Sequence, residues 1–264
     1  MTRLFTFWTG PLGYIEQMCL ASMVAAGHSV DFFTYDDNPA VPEGVTVKDA
    51  RAIMPRESVV SYRKRQSPAL FANLFRYEGL RRELGIWVDC DMLLLRDLSD
   101  MGPFVVGWQD DRLINNAVLR LPADSEALRD IVAFANRPVV VPLDWPLRKR
   151  IQQHVASLFG LHQRLEDLPW GTIGPRLVTH FALRSGIVLQ PAEVFYPVPW
   201  KKAASLFDPD AHLEDSFTAA TRAVHLWNEC IREQKKTEPP PGSFIARMRE
   251  RFLQGGPGAR QHKQ

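Results

Sequence analysis

The sequence predicts an α/β protein built around parallel strands. Three observations carry this: a strand–helix–strand spacing in the first 35 residues, later apolar runs too short for anything but strands, and helical periodicities between them. The first strand is RLFTFWT (3–9), rich in aromatic and β-forming residues. Gly10-Pro11 ends it. GYIEQMCLASMVAAG then sets Ile15, Met18, Cys19, Ser22 and Met23 at helical spacing, with Gly27 as the C-terminal cap. SVDFFTY (29–35) is the second strand and runs into the polar cluster Asp36-Asp37-Asn38-Pro39.

Further along, Ser67-Pro68 supplies a helix N-cap and a proline at the first helical position. The helix is expected through ALFANLFRYEGLRREL and to stop at Gly85, with Gly79 as a weak point inside it. IWVD (86–89) follows as a buried strand, because its apolar run does not alternate. FVVGWQ and INNAVLRL read as two more strands, and RAVHLW (222–227) as a late one. Helices are expected near 125–136, 147–158 and 176–186, the last after the loop WGTIGP (170–175). Three consecutive prolines in KKTEPPPGS (235–243) forbid helix and central strand alike. The predicted organisation is therefore one domain over 1–234. Residues 235–264 follow as a proline-rich linker, a short basic amphipathic helix FIARMRERFL and a disordered end.

Composition narrows the function. The chain has 264 residues, 45% hydrophobic, with a net charge of +2. From Ile231 onward eight Lys and Arg face three Asp and Glu, so the body is mildly acidic and the tail basic. An acidic body argues against nucleic-acid binding, which needs a basic face. Three scattered cysteines read as reduced thiols. The N-terminal run is too short and too weakly basic for a signal peptide, so a cytoplasmic protein is expected. The tail helix, apolar on one face with Arg247, Arg249 and Arg251 elsewhere, is compatible with peripheral contact at the inner membrane face or with docking on its own domain.

The most informative stretch is GIWVDCDMLLLRDL (85–98), where Asp89 and Asp91 interrupt an apolar run. Residues i and i+2 of an extended chain share a face, so the two carboxylates project together. Burying one unpaired charge costs on the order of several kcal/mol. Three outcomes remain open: a shared metal, pairing with Arg76 or Arg96, or a solvated strand end. Position favours a ligand site, since open α/β sheets bind ligands beyond the carboxyl ends of their strands. Carboxylates are hard donors suited to Mg²⁺ or Mn²⁺, and such an ion attracts a diphosphate.

NLFRYEGLRRELGIWVDCDM resembles the DXD sugar-nucleotide region of glycosyltransferases related to family 32, most closely the bacterial capsular-polysaccharide type. TFWTGPLGYIEQMCLASMVAAGHSVDFFTYDD is similar to the opening block of that family. INNAVLR, WGTIGPRLVT, FYPVPW and AVHLWNE resemble later blocks in the same order. The resemblance implies a single GT-A-type, Rossmann-like α/β domain with a mixed, mostly parallel sheet. It also implies a nucleotide-sugar donor, UDP-linked, a glycan or lipid-linked glycan acceptor, a divalent metal (Mn²⁺ or Mg²⁺), and transfer with retention.

Residue by residue, it makes Asp91 the direct metal ligand and gives Asp89 contact with the ribose, the sugar or a metal-bound water. His225 becomes a third ligand, with Asn228 as the alternative through its amide oxygen. Arg76 and Asn73, three apart on one helix face, are placed toward the donor. Asparagine at 73 departs from the family, where aspartate is common; Leu84-Gly85 replaces a Gly-Gly. Trp8, after Phe7, is placed to stack on the base, and Trp227 over the diphosphate or sugar. An acid of Tyr35-Asp36-Asp37, taken as Asp36, is placed on the ribose. Only one of Asn115 and Asn116 can face the site, and Asn116 is favoured as a sugar or acceptor contact. Each of these residues also has a purely structural alternative, as a core side chain or a turn.

Two rivals remain at this level. A haloacid-dehalogenase-type phosphatase also carries Asp-x-Asp after a strand, but needs it near the first strand; here it comes at residue 89 with Leu93 where Thr or Val is required, and Asp110-Asp111 is a poor later pair. A non-catalytic nucleotide-sugar- or glycan-binding protein of the same fold is the second, left open by Asn73.

Overall fold

Alternation along the strands decides the layers. The computed structural model describes residues 2–60, 63 and 69–254. Strands β1 (Arg3–Phe7), β2 (Ser29–Thr34), β3 (Val45–Asp49) and β4 (Ile86–Val88) run parallel. Strand β7 (Ile114–Arg120) pairs antiparallel with β4, and β6 (Val105–Trp108) antiparallel with β7. The order across the sheet is β3-β2-β1-β4-β7-β6. This is the α/β fold with a mixed, mostly parallel sheet that the sequence predicts. A separate antiparallel ribbon joins β5 (Met92–Leu94) to β8 (Ala223–His225).

Leu4, Val30, Phe32, Ile86 and Val88 point to one face and pack with Met18 and Met23 of helix α1 (Tyr14–Ala25). Their neighbours Phe5, Phe7, Phe33 and Trp87 point to the other. There they meet helix α2 (Ala69–Arg81), together with α3 (Glu126–Ala135) and α5 (Pro175–Arg184). Cover on both faces is why IWV reads as an unbroken apolar run. The second core is dense in rings: Phe7 stacks on Phe75 at 4.8 Å, and Phe5 meets Trp87 edge-on at 5.2 Å. Such pairs add about 0.5–1.5 kcal/mol each beyond area burial.

Helix α4 (Leu147–Leu158) forms where the spacing predicts it. The cap expected at Ser67-Pro68 and the disorder expected beyond 254 lie outside the described residues. Three short elements were not anticipated: β3, β5 and the turn of helix α6 (Ala192–Phe195). Strand β3 is an exposed edge, and β5 is three residues long with a partner some 130 residues away, so neither carries a strong local pattern.

The C-terminal segment corrects one expectation. Ser243 caps helix α7 (Phe244–Arg249), whose Phe244, Ile245 and Met248 are buried in the same core as α1. Of membrane contact and docking on its own domain, which the sequence left open, this is docking: the apolar face is spent within the body, and residues 244–254 continue the domain expected to end at 234. Hydrophobic burial wins because three large side chains leave water at once.

Two expectations follow. Gly79 lets α2 lie against β1, since a Cβ there would sit 2.3 Å from Cε2 of Phe5. Gly79→Ala should therefore destabilise by about 1–3 kcal/mol despite the helix propensity gained, read as a lower Tm; an unchanged or raised Tm would refute the close-packing account. His28 is buried, accepts the Leu98 N–H at 3.1 Å through Nε2, and lies 3.3 Å from the Thr2 carbonyl through Nδ1. Burial holds its imidazole below the ordinary 6.5, outweighing Thr2 and Asp97. The unfolded chain then takes the proton first. Stability from neutral His28 is complete above about pH 6.5 and is lost as pH falls below it. Melting curves from about pH 7 down to about pH 5 should show a decline that His28→Gln flattens; parallel slopes would assign the acid sensitivity elsewhere.

Candidate functional site

Because β1, β2 and β4 run parallel, the residues that follow them emerge on one rim. Trp8, Asp36 and Asp89 are those residues. Strand β7 runs the other way, so Asn115 and Asn116 at its start reach the same rim, and the Asp89 N–H bonds the Ala117 carbonyl at 2.8 Å. Trp8 is half-buried, packs against the α1-side core and donates Nε1–H to the Pro11 carbonyl at 3.3 Å. Phe7 and Tyr35 are core residues, the latter donating its hydroxyl to the Met54 carbonyl. Asp36 accepts from the Gly10 N–H at 2.7 Å and from Thr34 Oγ1, so it fixes the loop after β1; Asp37 is exposed.

The two aspartates part company beyond β4. Asp89 Oδ1 accepts from Arg76 at 2.5 Å and from Trp87 Nε1 at 2.5 Å. Arg76 also donates to Asn73 Oδ1 at 2.6 Å and lies 4.6 Å over the Trp87 ring. Asn73 Oδ1 takes a further bond from Asn116 Nδ2 at 2.8 Å. The Gly174 backbone closes over this group, for a Cβ there would come within 3.2 Å of the Asn73 amide. The resemblance placed Arg76 toward the donor; its guanidinium is instead directed to Asn73 and Asp89, and Nε is buried without a partner. Buried and planar, it serves better to aim Asp89 than to bind a ligand itself. Arg96 does not reach the aspartates; it is exposed and bonds the Ala219 carbonyl. Burial pushes the Asp89 carboxyl up from its usual range; Arg76 opposes this and the Asp91 charge adds to it.

Asp91 turns the other way. Its Oδ2 accepts the Asn228 N–H at 2.9 Å and lies 3.2 Å from His225 Nε2, while its carbonyl accepts the Leu226 N–H. Burial pushes this carboxyl up, but His225 and the hydrogen bonds outweigh it and hold Asp91 below the usual value, hence ionised. Trp227 stacks on His225 at 3.9 Å, donates Nε1–H to the Val198 carbonyl and is largely buried. Its φ of +57° is left-handed, unusual for a tryptophan.

Asn228 departs from its expected role. Its amide oxygen accepts from Lys235 Nζ at 2.6 Å, and its Nδ2 donates to Glu16 Oε1 at 2.8 Å. The side chain is held by a buried carboxylate and an ammonium, so the backbone N–H, not the amide oxygen, serves the site. Glu16 and Lys235 were missed by the sequence reading. Glu16 had a signal, as the third residue after Gly13 at the start of α1, where it accepts the Gly13 N–H; Lys235 had none.

The network thus gathers Asn73, Arg76, Asp89 and Asn116 on one side and Asp91 and His225 on the other. Asn115 stays outside it, bonded to Gln109 and to the Ala117 N–H. Asp110 accepts the Arg112 and Leu113 N–H groups in the β6–β7 turn, a structural role that leaves the phosphatase motif without its second half. Among the described residues no group of three or more His, Cys, Asp and Glu side chains is assembled for a metal. Nor is any helix there long and apolar enough to cross a membrane. Cys19 and Cys90 are buried and Cys230 is exposed, none of them in a disulfide.

Residues 161–252 match the alpha 1,4-glycosyltransferase conserved region. That stretch contains the loop over Asn73 and the whole of the 225–228 segment. The human and chimpanzee (Pan troglodytes) lactosylceramide 4-alpha-galactosyltransferases are each 26% identical over 183 residues, 64% of this chain and 44% of theirs. The mouse protein of that name is 28% identical over 150 residues, 55% of this chain and 37% of its own. The chain therefore spans less than half the length of these relatives. Among solved structures, the PaToxG glycosyltransferase aligns over 97% of this chain and 86% of its own at 10% identity, with a TM-score of 0.44. Over residues 161–252 the chain is thus similar to proteins that carry the alpha 1,4-glycosyltransferase conserved region.

Proposed function

We propose that this chain transfers a sugar from a nucleoside-diphosphate donor, UDP-linked, to a glycan or lipid-linked glycan acceptor with retention of anomeric configuration. The observation that carries this is the ionised Asp91 facing His225 at the rim beyond β4, in a chain whose relatives are named as galactosyltransferases. Those relatives are named for an alpha-linked transfer to lactosylceramide, a glycolipid. An α-linked donor giving an α-linked product is retention, and a glycolipid is a lipid-linked acceptor. A capsular or other surface glycan is the corresponding acceptor for the bacterial type that the sequence resembles.

The donor set suits a divalent ion. A charged carboxylate oxygen and an imidazole nitrogen 3.2 Å apart are the two protein donors that Mn²⁺ or Mg²⁺ needs when phosphates and water complete the shell. Asp91 and His225 would hold it, and it would supply Lewis-acid stabilisation of the departing diphosphate. The chain's own residues do the rest. Arg76, fixed by Asn73 and by the Trp87 ring, orients Asp89 through Oδ1 and leaves Oδ2 for a ribose or sugar hydroxyl. Asn116 keeps Asn73 in place. The Trp227 ring packs against His225 at 3.9 Å, tilted by 35°, and restricts the imidazole's rotation. With Asp89 Oδ2 given to a hydroxyl and Asp91 to the metal, a front-side transfer, in which the acceptor proton passes to the leaving phosphate, needs no protein nucleophile.

Two measurements test this. UDP-sugars should raise the Tm of the wild-type chain only with Mn²⁺ present, and Asp91→Ala should abolish that rise. A shift that survives in Asp91→Ala would remove Asp91 from the metal role. Arg76→Lys cannot bond Asn73 and Asp89 in one plane, so transfer to acceptor should fall by about 10²-fold in kcat/KM. Activity within a few-fold of wild type would show that Asp89 needs no such guide.

A further inference from the structure

Helix α4 buries one residue of its twelve, Gln153. Its large apolar side chains are exposed instead: Leu147 69%, Ile151 53%, Val155 49% and Leu158 81%. At about 100° per residue these four fall within an arc of about 80°, and Gln153 lies on the opposite side of the helix. The apolar stripe therefore faces directly away from the body. The turn that follows prolongs it with Phe159 at 73% and Leu161 at 78% exposure, around Gly160 at φ +70°. A water-facing stripe of this size is not what a surface helix on a core shows; its polar residues should face out.

The surrounding charge identifies what covers it. Residues 145–165 contain no Asp or Glu, but they hold Arg148, Lys149, Arg150 and Arg164. On the helical wheel Arg148 flanks the apolar arc on one side; Arg150, beyond the other side, has its Nε buried against the body, and Lys149 folds back over the Trp145 ring at 3.7 Å. The nearest acids, Asp144, Glu166 and Asp167, lie outside the helix and pair with Arg176, Arg164 and Arg63. An apolar stripe edged by an exposed arginine, on a helix without acidic residues, is the pattern of a helix lying in a membrane interface, with the Arg148 stem along the acyl chains and its head among anionic headgroups. We infer that α4 and the Phe159–Leu161 turn dock the protein on an anionic lipid surface. The inference does not depend on the activity proposed above. It places a membrane contact, which the sequence left open for the C-terminal helix, on a different helix whose apolar face is exposed.

The test uses the full chain with phosphatidylcholine vesicles, with and without phosphatidylglycerol, followed by co-sedimentation. Wild-type protein should pellet with the phosphatidylglycerol vesicles and be released by high salt. Ile151→Ser/Leu158→Ser should bind at least about tenfold more weakly with an unchanged Tm, since both side chains are exposed. Arg148→Gln should weaken binding to anionic vesicles alone. Wild-type protein that stays in the supernatant overturns the inference, as does a serine double variant that binds equally well. Sedimentation velocity showing a wild-type dimer that the double variant breaks would assign the face to a second copy and equally overturn it.

Discussion

The rest of the structure depends on how one buried negative charge is satisfied. Asp91 follows the central parallel strand and sits among apolar neighbours, where an unpaired carboxylate would cost several kcal/mol. Its partners come from more than 130 residues away: the Asn228 N–H, His225 Nε2 and, through the Asp91 carbonyl, the Leu226 N–H. The β5–β8 ribbon brings these groups within reach, since Met92 pairs with His225 directly. The left-handed turn at Trp227, unfavourable by about 1–2 kcal/mol for a residue with a Cβ, belongs to the same arrangement. It lies between the histidine and Asn228, and the Trp227 ring stacks on the imidazole. A strained residue held by surrounding contacts marks a place where geometry matters more than local comfort.

Asp89 meets the same problem by a different route. Its counter-charge is Arg76, from the helix that precedes β4, backed by Trp87 within the strand and by Asn73 one helical turn before the arginine. The two carboxylates thus face different partners, which keeps their mutual repulsion tolerable and pushes their protonation in opposite directions. One is held firmly ionised beside an imidazole. The other is held less firmly, oriented by an arginine that is buried and directed to Asn73 and Asp89. Different environments for two adjacent acids are how a site gives each a separate task.

The departure at position 73 gains a physical account from this network. Asn73 Oδ1 accepts from both Arg76 and Asn116, and its Nδ2 donates to the Ala69 carbonyl. An amide does both jobs, whereas a carboxylate would accept only and would add a third negative charge beside Asp89. The asparagine is consistent with a working site and does not by itself point to a binding-only protein. Its neighbour across the gap, the Gly174 backbone, needs the absence of a side chain to approach it.

Much of this was legible in the chain before its structure. Short runs of apolar and β-forming residues located β1, β2, β4 and β7, and the 3.6-residue period and end signals located α1 and α2, because buried strands and helices write their environment into local sequence. The spacing of Asp89 and Asp91 pointed to the candidate site, and alternation left room there for only one of Asn115 and Asn116; Asn116 is the one that bonds Asn73. Tertiary structure decided what local pattern cannot carry. That Asp89 would take the arginine and Asp91 the histidine follows from a turn between β4 and β5 and a ribbon joining residues far apart in sequence. That the Asn228 amide would be claimed by Glu16 and Lys235 depends on where α1 begins in space. The amphipathic pattern of the last helix and that of α4 look alike in sequence, yet one apolar face is buried and the other is exposed. Periodicity says only that a helix has two faces; the position of the rest of the molecule determines which of them meets water.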